Sequence, residues 1–192
     1  PLETWTYRIL HVAGGLMIVF ALMAWRAFAT SDAERSIDLM RLVPAGLALA
    51  LAAYAALAIA AAWLLRAYGG MPAPPPWVFD TAAPTLVAAV VVGIGVAWAT
   101  PPERGRIALV DWALILTSAT VAGYLLFHVA ALQFRAGVMP TRPDFWVTLA
   151  GVLLILEATR RVAGLPLVAI AAIFIIYAFT GPWLPGILQM SR

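Results

Sequence analysis

Glu157, Arg160 and Arg161 stand between two apolar runs in VLLILEATRRVAGLPLVAI (152–170). On a helix, residues three and four apart share a face, so Glu157 can pair with both arginines. An unpartnered carboxylate at such a place would be costly, and a partner is therefore expected. Asp111, another acid beside a long apolar run, suits the N-terminus of a helix. Both acids fall near the ends of apolar segments, so neither offers a deep proton or sodium site. The chemistry these residues support is ion pairing within the protein.

Other reactive patterns are sparse. His11 and His128 are the only histidines and fall on separate segments. A shared haem or metal is one reading of them; the simpler one gives each a hydrogen bond to a neighbour or a place near the membrane interface. Thr117, Ser118 and Thr120 lie in one apolar run, where hydroxyls usually bond back to the helix. The chain contains no cysteine, which removes disulfides and thiolate metal sites. It has no phosphate-loop or H-E-x-x-H pattern. An enzyme built on His128 finds no support in the spacing. The expectation is a protein that is not an enzyme and uses no cofactor.

The elements that carry these residues are greasy. The 192 residues are 64% hydrophobic and only 11% charged, against about 25% in soluble domains. All twelve basic residues are arginine, and the net charge of +3 is too small and scattered for nucleic-acid binding. The composition predicts an all-α, polytopic membrane bundle.

About 20 apolar residues cross the hydrocarbon core. The first such window is Ile9 to Phe28. AFA at 27–29 has the small-x-small form of a signal-peptidase site, but Trp25 and Arg26 fit it poorly, so the segment reads as an uncleaved span rather than a signal or interfacial helix. The second, Leu42 to Leu65, is Ala-rich and suited to close packing. RAYGGMPAPPPWVFD (66–80) reads as an extended loop with Trp77 and Phe79 at the interface. The third window is Thr81 to Thr100, where Gly93 and Gly95 permit close packing. PPERGR (101–106) makes a tight basic loop. The fourth runs from Trp112 to Phe134 and ends at RAGVMPTRPD (135–144).

The fifth window has only 12 uncharged residues, Phe145 to Leu156. Extended from Pro143 through Arg161 it reaches about 28 Å, enough if the arginines snorkel to the headgroups. The sixth follows AGLP and ends at GPWLPG (181–186). Six spans result, or five plus one interfacial or re-entrant helix. The arginines predict orientation. Arg26, Arg35, Arg41, Arg104, Arg106, Arg160 and Arg161 fall on the expected cytoplasmic side. Arg8, Arg66, Arg135, Arg142 and Arg192 fall on the other, which would also hold both termini. Trp5, Trp25, Trp63, Trp77, Trp98, Trp112, Trp146 and Trp183 suit interfacial anchoring.

LEATRRVAGLPLVAIAAIFIIYAFTGPWLPG (156–186) carries an E-A-T-R-R-x-x-G run, an apolar span and then G-P-x-L-P-G. VDWALIL (110–116) and FRAGVMPTRPD (134–144) add to the pattern. On these stretches the chain resembles the N-terminal, small-subunit-like (Q-type) part of fused TRAP transporter permeases of the TAXI type. The resemblance covers about two thirds of the chain, from residue 66 onward, and Leu42 to Leu65 more loosely. It divides the chain into an additional N-terminal transmembrane helix and loop (1–41) and a small-subunit-like membrane region (42–192).

The resemblance implies a bacterial cytoplasmic (inner) membrane location and uptake of a carboxylate-type solute driven by a sodium or proton gradient. It implies a large permease subunit that holds the substrate and ion sites, and a periplasmic solute-binding protein as partners. The small part is then a scaffold in lipid. Glu157, Arg160, Arg161, Asp111 and Trp112 match and read as structural; no catalytic, cofactor-binding or metal-binding residue carries over. In the family a large transport domain is expected to continue past LPGILQMSR, where this sequence stops, and the first helix, before residue 40, looks additional to the family's pattern. These departures motivate an alternative: a permease-derived accessory subunit of another membrane assembly, respiratory or photosynthetic.

Overall fold

The structure, a computed structural model, describes residues 2–26, 39–70, 74–99, 107–135 and 138–180. The described residues form seven helices: α1 (Leu2–Arg26), α2 (Leu39–Tyr68), α3 (Pro76–Ala99), α4 (Leu109–Phe127), α5 (Val129–Arg135), α6 (Arg142–Ala163) and α7 (Leu165–Thr180). The protein is an all-helical membrane bundle. α1 to α4 are each long and apolar enough to cross a bilayer. α6 has 22 residues but carries the charges at both of its ends, and α7 is an apolar helix of 16 residues.

Contacts between side chains fix the directions of the helices. Arg66 near the end of α2 reaches Phe127 at the end of α4, so these two run parallel. Tyr54 of α2 meets Thr81 of α3, and Ala45 packs with Val96, so α3 runs opposite to α2. Asp111 meets Arg161 while Tyr124 meets Asp144, so α4 and α6 are antiparallel. One end of the bundle thus collects Arg66, Arg135 and Arg142, and the other Arg160 and Arg161. This is the same division of these five arginines that the sequence predicts; Arg35, Arg104, Arg106 and Arg192 lie outside the described residues, as do AFA, PPERGR and GPWLPG.

The core explains the alanines of α2. Ala45, Ala48, Ala52, Ala55, Ile59 and Ala62 are all buried, at alternating spacings of three and four. Such a seam of small side chains lets α3 and α4 approach closely. Gly93 of α3 does the same locally: a Cβ there would stand 3.2 Å from the Leu114 Cδ2 of α4. Gly95 faces open space and has no such role. Phe20 of α1 is fully buried in the same core as Leu86, Leu114, Tyr124 and Leu154, so the additional first helix joins the bundle that the other helices build.

Two expected boundaries move. The 66–80 loop is shorter than its proline content suggests, because α2 runs to Tyr68 and α3 opens at Pro76. Proline at the start of a helix loses no hydrogen bond there. Phe79 is consequently buried in the core, while Trp77 remains exposed. The fourth window is not one helix to Phe134. It breaks at His128 (φ −103°, ψ 10°), and α5 follows as a separate short helix. The Phe127 carbonyl at the break accepts from Arg66 Nη1 at 3.1 Å, so a side chain satisfies one of the carbonyls that a helix end leaves over.

Candidate functional site

α6 is an amphipathic helix that buries Asp144, Val147, Ala150, Leu154, Glu157 and Ala158 along one side. Glu157 therefore points into the bundle, with its side chain only 1% exposed. Its two oxygens are saturated. Oε1 accepts from Arg160 Nη2 at 2.7 Å and from Arg161 Nε at 2.8 Å. Oε2 accepts from Arg160 Nε at 2.8 Å and from the indole Nε1 of Trp98 on α3 at 3.3 Å. Arg161 then extends across to α4, where Nη1 donates to Asp111 Oδ1 at 2.6 Å. Asp111 is buried in the first turn of α4.

Aromatic rings close the cluster. The Arg161 guanidinium lies 5.0 Å from the Phe20 ring centroid on α1, and that of Arg160 lies 5.1 Å from the Trp98 ring. Each is a cation–π contact. Two carboxylates and two guanidinium groups make the cluster neutral, and it ties α1, α3, α4 and α6 together. Burying such charges is tolerated only when each is paired and hydrogen-bonded, as here. Of the residues singled out from the sequence, Glu157, Arg160, Arg161 and Asp111 meet in one network. Trp112 does not join it and is half-exposed.

A second cluster sits at the other end of the same two helices. Asp144 Oδ1 accepts from the Tyr124 hydroxyl at 2.7 Å and from Arg135 Nη2 at 2.8 Å. Oδ2 accepts from the Thr141 backbone at 2.9 Å and its hydroxyl at 2.7 Å. Thr141 and Asp144 form a reciprocal capping box that starts α6. The sequence reading missed this role of Asp144, although T-R-P-D carries the signal: a hydroxyl residue, a proline and an acid three positions on. Asp111 and Tyr124 are 13 residues apart on α4, as are Asp144 and Glu157 on α6, so the two clusters lie about 20 Å apart along the bundle.

The histidines do not come together as a ligand pair. His128 packs its ring 4.3 Å from Tyr124, 4.8 Å from Phe79 and 4.9 Å from Phe127, and its Nδ1 is 3.2 Å from the Tyr124 carbonyl. His11 is exposed on α1. Among the described residues no group of three or more His, Asp or Glu side chains is placed to hold a metal ion. Thr117, Ser118 and Thr120 donate to the carbonyls of Ala113, Leu114 and Leu116, as expected of hydroxyls inside a membrane helix. Trp63 donates to the Gly123 carbonyl at 3.1 Å, so it anchors to the protein itself.

What this arrangement does chemically is hold helices in register. Every oxygen of Glu157 and Asp144 already accepts a hydrogen bond, so neither carboxylate presents an open face to a ligand. No protein-family model, curated protein or solved structure matches the chain.

Proposed function

We propose that the chain is a non-catalytic scaffold of a TRAP-type secondary transporter of the TAXI kind, in the bacterial cytoplasmic membrane. It packs beside a large permease subunit that holds the substrate and ion sites, and it works with a periplasmic binding protein that delivers a carboxylate-type solute. One observation carries this reading: the residues on which the resemblance rests, Glu157, Arg160, Arg161 and Asp111, are spent on one another in a buried network linking α4 to α6. A motif used in that way serves architecture rather than turnover.

α7 supports the same reading. It packs chiefly on α6 and exposes Leu165, Ile170, Ile173, Phe174 and Ile176. A rod of that kind suits a protein that sits against a larger polytopic neighbour or its lipid. The test is purification of the tagged chain from its native membrane in mild detergent. The expected companion is a large polytopic permease, and deletion of the chain is expected to abolish uptake of the solute. A preparation that never contains a permease sinks the transporter reading. Companions bearing haem or pigment would support the accessory-subunit alternative.

A further inference from the structure

The outward side of α1 carries polar groups that no described residue of the bundle answers. α1 is the least covered of the four spans, with 11% of its membrane window buried against 56% for α4. Its buried side holds Ala13 and Phe20. His11 lies nine residues before Phe20, and at about 100° per residue that is half a turn away, on the opposite side of the helix. Tyr7, Arg8, Gly15 and Ile18 share this outward side at helical spacing and are exposed. Arg8 and His11 make no hydrogen bond or ion pair among the described residues.

Depth makes this costly. The Arg161 guanidinium spans Phe20 and Asp111, so these two residues stand at one level; α1 also touches α5, which follows the other end of α4, so α1 and α4 run antiparallel. Arg8 is twelve residues from Phe20, about 18 Å, which sets it near the level of Gly123. It thus lies about 6 Å inside the end of α4 at Phe127, and His11 about 4–5 Å deeper. Arginine can snorkel from that depth. The short imidazole stem cannot, and a polar ring turned to hydrocarbon without a partner is unfavourable.

We propose that this side of α1, built on Tyr7, Arg8, His11, Gly15 and Ile18, is the docking face for a transmembrane helix of another protein that carries a carboxylate level with Arg8 and His11. The two side chains, three residues apart on one face, would bind that carboxylate together. At Gly15 an added Cβ would meet nothing within 4 Å, so a second backbone can come close there. A second copy of this chain fits badly, because a parallel pair would set Arg8 against Arg8. A lipid phosphate at headgroup level would reach Arg8 but not His11. The inference does not depend on the transporter reading.

The test places a photo-crosslinking residue at Gly15 or Ile18 in the full chain, in its native membrane, and sequences the trapped peptide by mass spectrometry. Both positions are expected to trap one apolar peptide containing Asp or Glu, whereas the same probe at Leu57, on the exposed side of α2, does not. Arg8→Gln is expected to lower the yield at least tenfold, and Arg8→Lys to retain most of it. Because Arg8 faces outward, neither change should shift the unfolding transition of the purified chain. Trapping of lipid only, of a second copy of this chain, or of a peptide without an acid overturns the proposal. So does a yield indifferent to Arg8→Gln.

Discussion

Arg161→Met isolates the clamp between α4 and α6. In the native protein Arg161 bonds Glu157 at 2.8 Å and Asp111 at 2.6 Å, and it lies over the Phe20 ring. Methionine keeps the apolar stem and removes the charge. Glu157 retains Arg160, but Asp111, with a side chain 6% exposed, loses its ion-pair partner. Stranding one buried charge costs about 3–5 kcal/mol, and the lost ring contact adds about 0.5–1 kcal/mol. Asp111→Leu alone leaves Arg161 bound to Glu157 and should cost about 1.5–3 kcal/mol, the worth of a charge-assisted hydrogen bond. The double variant Asp111→Leu/Arg161→Met leaves no stranded charge. It should be less destabilised than Arg161→Met, giving a coupling of about 2–3 kcal/mol, at the upper end for residues in contact. Reversible unfolding in mixed micelles, followed by circular dichroism across the four proteins, measures the cycle. If the two single effects simply add, or if Arg161→Met leaves the midpoint where it was, Asp111 and Arg161 do not act as a pair and the clamp is not what holds these helices.

The second cluster should respond in graded fashion. Tyr124→Phe removes one of four donors to Asp144 and should cost about 1–2 kcal/mol, whereas Asp144→Ala strands Arg135 and unseats the cap, costing about 3 kcal/mol or more; the same unfolding assay compares them. Gly93→Leu forces a side chain against Leu114 and should destabilise by about 1–3 kcal/mol, while Gly95→Ala, which faces open space, should be neutral or gain up to about 0.5 kcal/mol. Equal effects at the two glycines would remove Gly93 as a packing point. Ala52→Leu on the buried seam of α2 should likewise be costly and Leu57→Ala on its exposed side nearly silent, read as thermal midpoints in detergent.

Parts of this structure are legible in the sequence because they follow from local spacing. The pairing of Glu157 with Arg160 and Arg161 is a matter of three and four residues on one helix. The back-bonded hydroxyls of Thr117, Ser118 and Thr120 are equally local. The bond from Arg161 to Asp111 spans 50 residues, and no periodicity reveals it. Asp144 was readable as a cap through T-R-P-D, but Tyr124 as its buried donor depends on how α4 lies against α6. The break at His128 escaped because LLFHVAALQF is apolar on both sides of it, and the Arg66 side chain that satisfies the freed carbonyl comes from another helix. Pro76 reads as a loop residue from composition alone, and as the first residue of a helix only once Phe79 is seen to reach the core.

The two clusters also answer a problem that lipid sets for any such bundle. Between apolar helices in hydrocarbon there is no hydrophobic drive to associate, because the surrounding chains are as apolar as leucine. α7 and the flanks of α3 and α4 present side chains that would slide past a neighbour with little change in energy. Small residues on α2 bring backbones close, but alanine repeated at three and four tolerates a slip of one heptad. A pair of charges does not: shifting α6 by one turn against α4, about 5.4 Å, parts Arg161 from Asp111 and Tyr124 from Asp144 together. Two such fastenings, about 20 Å apart on the same pair of helices, fix both the register and the direction of α6, and so decide on which side of the bundle α7 emerges.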